Sequence, residues 1–236
     1  MDVLFNNFDV FRDGFLLTLQ VCVLSAIGAL VLGTIVAVMR ISPVPPLRWL
    51  GTAYVTVIRN SPLTIIFFFT ASGLPTALGF DASFLKIPVL DAVFSRLTID
   101  LPFFRFAIVA LSVYTGAFVC EAIRSGVNAV NPGQAEAARA IGLTFTQTLR
   151  HVILPQAWKA AVVPLGTVII AMIKNSAVAG FFGLVGDLSQ SGYDLVVQQG
   201  YSVLPVFVGV SIGFLILTMP LGLLLDRLER NGALAR

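Results

Sequence analysis

Long apolar runs closed by charge, proline or glycine set the pattern of this chain. Gly14 to Met39, Asn60 to Phe80 and Leu195 to Leu225 carry no charged residue, while Leu101 to Cys120 holds only Arg105 and Ile153 to Ile173 only Lys159. A helix crossing a hydrocarbon core of roughly 30 Å needs about 20 such residues. The pattern therefore predicts an all-α membrane protein, a single domain over 1–236, with five transmembrane helices near 14–39, 50–73, 101–123, 153–173 and 202–225. No internal repeat or low-complexity tract is visible.

Composition agrees. Hydrophobic residues make up 57% of the chain and charged residues 11%, with a mean hydropathy of +0.93, where a soluble domain carries about a quarter of its residues charged. Cys22 and Cys120 lie inside apolar runs and read as small hydrophobes. A net charge of +3 raises the question of nucleic acid, but Lys and Arg never form a run of three, so no nucleic-acid partner is expected. The start, Met1-Asp2-Val3 with Asp9 and Asp13 before the first run, lacks a basic leader, and the first span is expected to be retained.

The charges have a topological reading, because basic residues gather on the cytoplasmic side. With the N-terminus outside, inner segments hold Arg40, Arg48, Arg124, Arg139, Arg150, Lys159, Arg227, Arg230 and Arg236, against Arg12, Lys86, Arg96, Arg105 and Lys174 outside. Most acids fall outside. The predicted topology has the N-terminus outside and the C-terminus cytoplasmic. Outer segments 73–102 and 174–201 are apolar enough to lie on the membrane surface or, at Phe181-Phe182, to re-enter it.

The largest inner segment, 131–155, has its own punctuation. Pro132 and Gly133 open it, Ala135 to Ile141 favour helix, Gly142 offers a left-handed stop, and Pro155 suits the first turn of the fourth span. Two short helices broken at Gly142 are predicted. Alanines 135, 137 and 138 leave a flat face for a protein partner, and Glu136 and Arg139 can pair at i, i+3. A connector lying on the bilayer is the competing reading.

The spacing of Glu136, Ala137, Ala138, Gly142, Val152, Leu154 and Pro155 resembles the EAA loop of ABC importer permeases. Tyr54 to Leu63 is similar to the R-N/G-T-P-L stretch of the polar amino acid permeases, the histidine, glutamine and glutamate type, with Ser61 for Thr. Tyr114 to Gly142 is similar to that family's Y-x-x-A-Y-x-S-E-x-x-R-x-G-I segment running into G-Q-x-E-A-A, with Phe118 for Tyr and Cys120 for Ser. Ile173 to Val178 resembles K-D-T-S-L, with Asn175 in place of the acid.

The resemblance implies a type I ABC importer permease (MetI-like) fold in a bacterial plasma membrane. It also implies that Gly133, Glu136, Ala137, Ala138, Gly142, Leu154 and Pro155 couple the chain to a cytosolic ATPase dimer, which uses ATP and Mg. A second permease subunit, identical or not, and an extracytoplasmic solute-binding protein complete the implied assembly. None of the three lysines sits in a phosphate-binding loop, so this chain is expected to bind no cofactor and to be no enzyme. The single histidine, His151, and the dispersed acids give no metal site.

Charges within the spans are costly, about 2.5–3.5 kcal/mol each on insertion scales, and call for a reason. Arg59, Asn60 and Ser61, then Glu121, then Lys174, Asn175 and Ser176 are candidates for a translocation path. Structural alternatives are a snorkelling Arg59, a shallow Glu121–Arg124 pair and an interfacial anchor at Lys174. An acid exchanged for Asn175 beside Lys174 favours an anionic substrate, glutamate or aspartate, over a basic one. An autonomous secondary transporter or channel is the alternative function, but Glu121 is its only candidate buried acid.

Overall fold

The computed structural model describes residues 2–79 and 102–233, and among these every regular element is helical. The basic residues Lys86 and Arg96 and most of the outer segment 73–102 lie outside them. A short α1 (Asp2–Asn6) leads into α2 (Phe8–Ile41), which stops where Ser42 and Pro43 replace the apolar run. Pro45 and Pro46 then occupy the first turn of α3 (Pro45–Asn60), where a missing N–H costs nothing.

The second span is not one rod. The helix ends at Asn60 and restarts at α4 (Leu63–Phe68), the segment Leu63–Ala77 standing at 107° to α3. Pro62 is the cause: it donates no hydrogen bond and pushes Ser61 into extended backbone (φ −91°, ψ 137°). A π turn over Phe69–Gly73 carries α4 into α5 (Leu74–Leu78). The described residues thus hold four helices long and apolar enough to span a membrane, or five counting the bent pair as one.

The centre of the bundle is α2 against α6 (Pro102–Asn128). Small residues allow the approach: Ala29, Ala37, Ala110 and Ala117 are fully buried, and Tyr54 of α3 donates its hydroxyl to the Val113 carbonyl at 2.6 Å. Phe67, Phe104, Leu111, Met172 and Leu184 join Val21 in the largest core.

The last two long helices are α9 (Leu154–Asn175) and α11 (Val203–Ala233). A 3₁₀ segment over Ser176–Phe182 continues α9, and Phe182 stacks on Phe67 at 5.6 Å, which packs this part of the outer segment against α4. Gly183 and Gly186, at φ 98° and 87°, then turn the chain into α10 (Leu188–Val197). Asp187 is buried and accepts from the backbone N–H groups of Ser189 and Gln190, and the Leu188 N–H donates to Thr18 Oγ1 of α2 at 3.0 Å. Replacing Asp187 with alanine removes this cap. The expected loss is about 1–2 kcal/mol, read as a lower melting temperature of the detergent-solubilised protein.

Candidate functional site

Two sites emerge from the fold. The first is the 131–155 segment. Asn131 caps α7 (Pro132–Ala140) by accepting from the Gly133 N–H at 2.9 Å. The helix closes on Gly142 at φ 86°, whose N–H donates to Arg139 O while Leu143 N–H donates to Ala138 O. That paired closure is what a glycine at this position makes possible. Thr144 and Gln147 form a reciprocal cap on α8 (Phe145–Thr148).

The second short helix is not separate from the fourth span. A π turn over Leu149–Ile153 runs α8 into α9, and the extra residue in that turn gives the Pro155 ring room that a regular turn would deny it. Of the two readings of Glu136 and Arg139, a pair or groups free to reach a partner, the structure does not form the pair: Arg139 Nε donates to the Ala135 carbonyl, and among the described residues no ion pair engages Glu136. Glu136 and Ala137 are exposed, Ala138 is buried on the side of α7 that packs on α8 and the π turn after it, and His151 is exposed. Ile141 and Phe145, 79% and 76% exposed, add an apolar rim that the spacing of alanines did not suggest. Gly133, Gly142, Leu154 and Pro155 are exposed along the same segment.

The second site lies where α3 breaks. A cavity of about 330 Å³ is lined by Arg40, Val55, Thr56, Arg59, Asn60, Phe118 and Glu121. The Glu121 carboxylate is bonded directly to Arg40, and its Oε1 lies 3.7 Å from both Arg59 and Arg124. The expected pair with Arg124 is therefore one contact of three, and the nearest partner comes from α2. Arg59 rests over the Phe118 ring at 5.5 Å, within cation–π range. Three guanidiniums against one carboxylate leave the cluster at +2 (3 − 1).

The candidates at the end of α9 stand apart from this cavity. Lys174 is exposed, Asn175 half-buried, and Ser176 buried, with its hydroxyl donating to Ile173 O and accepting from Cys22 Sγ. Among the described residues no hydrogen bond or ion pair joins them to Arg59 or Glu121. Ser61 donates its hydroxyl to the Val57 carbonyl, which the Ser61 N–H leaves free by bonding Ile58 O, and the Asn60 amide donates to the Thr56 carbonyl within the last turn of α3. The described residues hold no cluster of His, Cys, Asp or Glu able to bind a metal.

The described residues form a multi-pass helical bundle with a compact helical bracket between α6 and α9, and the comparisons with known proteins identify this arrangement as the type I importer permease fold. Residues 29–231 match the family described as binding-protein-dependent transport system inner membrane component, and the chain belongs to that family. It is 40% identical over 231 residues to a probable glutamine ABC transporter permease protein, GlnM, of Bacillus subtilis, covering 98% of this chain and 97% of that one. It is 41% identical over 222 residues to the glutamate transport system permease protein GluC of Corynebacterium efficiens, covering 94% and 93%.

Among solved structures, an amino acid ABC transporter crystallised with histidines is similar at 28% identity and a TM-score of 0.79, over 97% of this chain and 96% of that one. The MetNI methionine transporter in an inward-facing form shares the fold at 24% identity and a TM-score of 0.70, over 95% and 96%. The resemblance drawn from the Glu136–Pro155 spacing is borne out, and the chain is a multi-pass plasma-membrane protein.

Proposed function

We propose that the chain is the permease subunit of an ATP-driven importer and forms the path for a polar amino acid, glutamate or aspartate, with its N-terminus outside and its C-terminus cytoplasmic. The cavity at the α3 break carries this reading: a site at +2 with an exposed guanidinium suits a solute bearing two carboxylates and one ammonium. Thr56 and Asn60 add neutral polar groups to the same wall. Asn175 beside Lys174 leaves the outer end of α9 without an acid, which also favours an anion. The relatives named for glutamine and glutamate transport support the class of solute.

The 131–155 bracket is the coupling element on this reading. Ile141, Phe145 and Glu136 would seat in a groove of a separate ATPase dimer that holds ATP and Mg, and movement there would pass along the continuous α8–α9 helix. A second permease chain and an external binding protein complete the assembly. The test is ATP hydrolysis by the purified complex in liposomes against a panel of amino acids. Stimulation and uptake with glutamate are expected, and uptake of arginine in preference to glutamate would overturn the choice of substrate. Arg59→Gln is expected to lower glutamate uptake by about tenfold or more, through loss of a charge-assisted pair.

A further inference from the structure

The three arginines around Glu121 are not equivalent. Arg40 is nearly buried, at 12% side-chain exposure, bonds the carboxylate directly, and is further held by Cys120 Sγ at 3.8 Å. Arg124 lies one turn along the same helix as Glu121. Arg59 comes from the end of α3, is 45% exposed, and stands 3.7 Å from Oε1, too far for a hydrogen bond. It is attracted to Glu121 and oriented by Phe118, yet its N–H donors are uncommitted to that carboxylate.

We propose that Glu121 is a built-in surrogate for the substrate's carboxylate: it fills the arginine cluster while the cavity is empty, and the arriving anion takes Arg59 from it. This rests on the cavity being the substrate site. The exchange orphans no buried charge, because Glu121 keeps Arg40 and Arg124 when Arg59 turns away. It also lowers affinity, since the solute must compete with a carboxylate that never leaves, and weak holding favours release. Arg59 sits two residues before the 107° bend, so handing it to the solute loosens α3 from α6 beside the hinge. Substrate arrival and the α3–α4 angle are thereby linked.

The experiment is equilibrium binding of tritiated L-glutamate to the purified full complex, wild type against three variants. Glu121→Gln removes the competitor and is expected to tighten binding by about tenfold. Glu121→Asp keeps the charge but draws it back by one methylene, and is expected to tighten binding severalfold. Weaker or unchanged binding in Glu121→Gln overturns the proposal, because Glu121 would then serve the substrate ammonium or the fold alone. Tightening in Glu121→Gln with none in Glu121→Asp also overturns it, leaving a general field effect. If Glu121→Gln does not purify as a monodisperse complex, Glu121→Asp decides alone. Arg59→Gln separates the two readings: wild-type binding there removes the cavity as the substrate site, whatever Glu121 does.

Discussion

Replacing Gly142 with valine is expected to cut ATP-driven uptake by about tenfold or more while leaving the protein inserted and folded, because a left-handed residue with a side chain costs roughly 1–2 kcal/mol and a β-branched one more. A Cβ at Gly142 meets nothing within 4 Å, so the effect is purely conformational. The paired hydrogen bonds from Gly142 and Leu143 fix how α7 meets α8, and therefore how Ile141 and Phe145 stand together. Loss of the left-handed turn spreads that arrangement over several conformers, only some of which fit a groove. The measurement is uptake by proteoliposomes containing the ATPase, with co-purification of the ATPase as a second readout. Glu136→Lys tests the same surface by charge and should weaken co-purification without touching the turn. Unchanged uptake in both variants removes the coupling role.

The bracket was legible because its signals are local. Pro132, Gly133 and Gly142 each act on backbone within a few residues, and α7 begins and ends where they place it, whereas the Thr144–Gln147 cap on α8, equally local, went unread. The long helices were legible for a similar reason, since a charge-free run such as Gly14–Met39 has few other folds in a membrane. The bend in the second span was not, because apolar residues continue across it and hydropathy alone does not register a change of direction. Pro62 was the available signal, and Arg59-Asn60-Ser61 ahead of it marked the place.

The arginine cluster shows the harder limit. Arg124 could be paired with Glu121 from i, i+3 spacing, but Arg40 is 81 residues away and reads in the sequence as an ordinary basic residue at a helix end. Its role exists only once α2 and α6 are packed. Ser176 shows the opposite case: it is polar and sits in a motif, and its hydroxyl is engaged with Ile173 O and Cys22 Sγ in the core. Ordinary helix geometry explains the difference: at 3.6 residues per turn two positions apart face nearly opposite ways, so Ser176 meets α2 while Lys174 stays exposed.

Gly126→Ala is expected to destabilise the protein by about 1–3 kcal/mol, the range for an overpacked contact. A methyl there would stand 2.5 Å from the Ala157 carbonyl oxygen, 2.7 Å from Ala161 Cβ and 3.0 Å from the Ala161 nitrogen. Two of these atoms are backbone and have no rotamer to escape into, so α6 and α9 must separate. Helix propensity alone argues the other way, favouring alanine by about 1 kcal/mol, so the sign of the change reports whether the helices touch. A fall of about 2–4 °C in melting temperature per kcal/mol is the expected reading in detergent. Ala161→Gly in the same chain removes one opposing methyl and should restore part of the loss, a coupling that distant sites do not show. The contact lies just beyond the bracket on both of the helices that flank it, so the same variant should slow uptake beyond what its lowered stability explains. A melting temperature that rises in Gly126→Ala would mean that α6 and α9 are apart, and with them the rigid link from the bracket to the cavity.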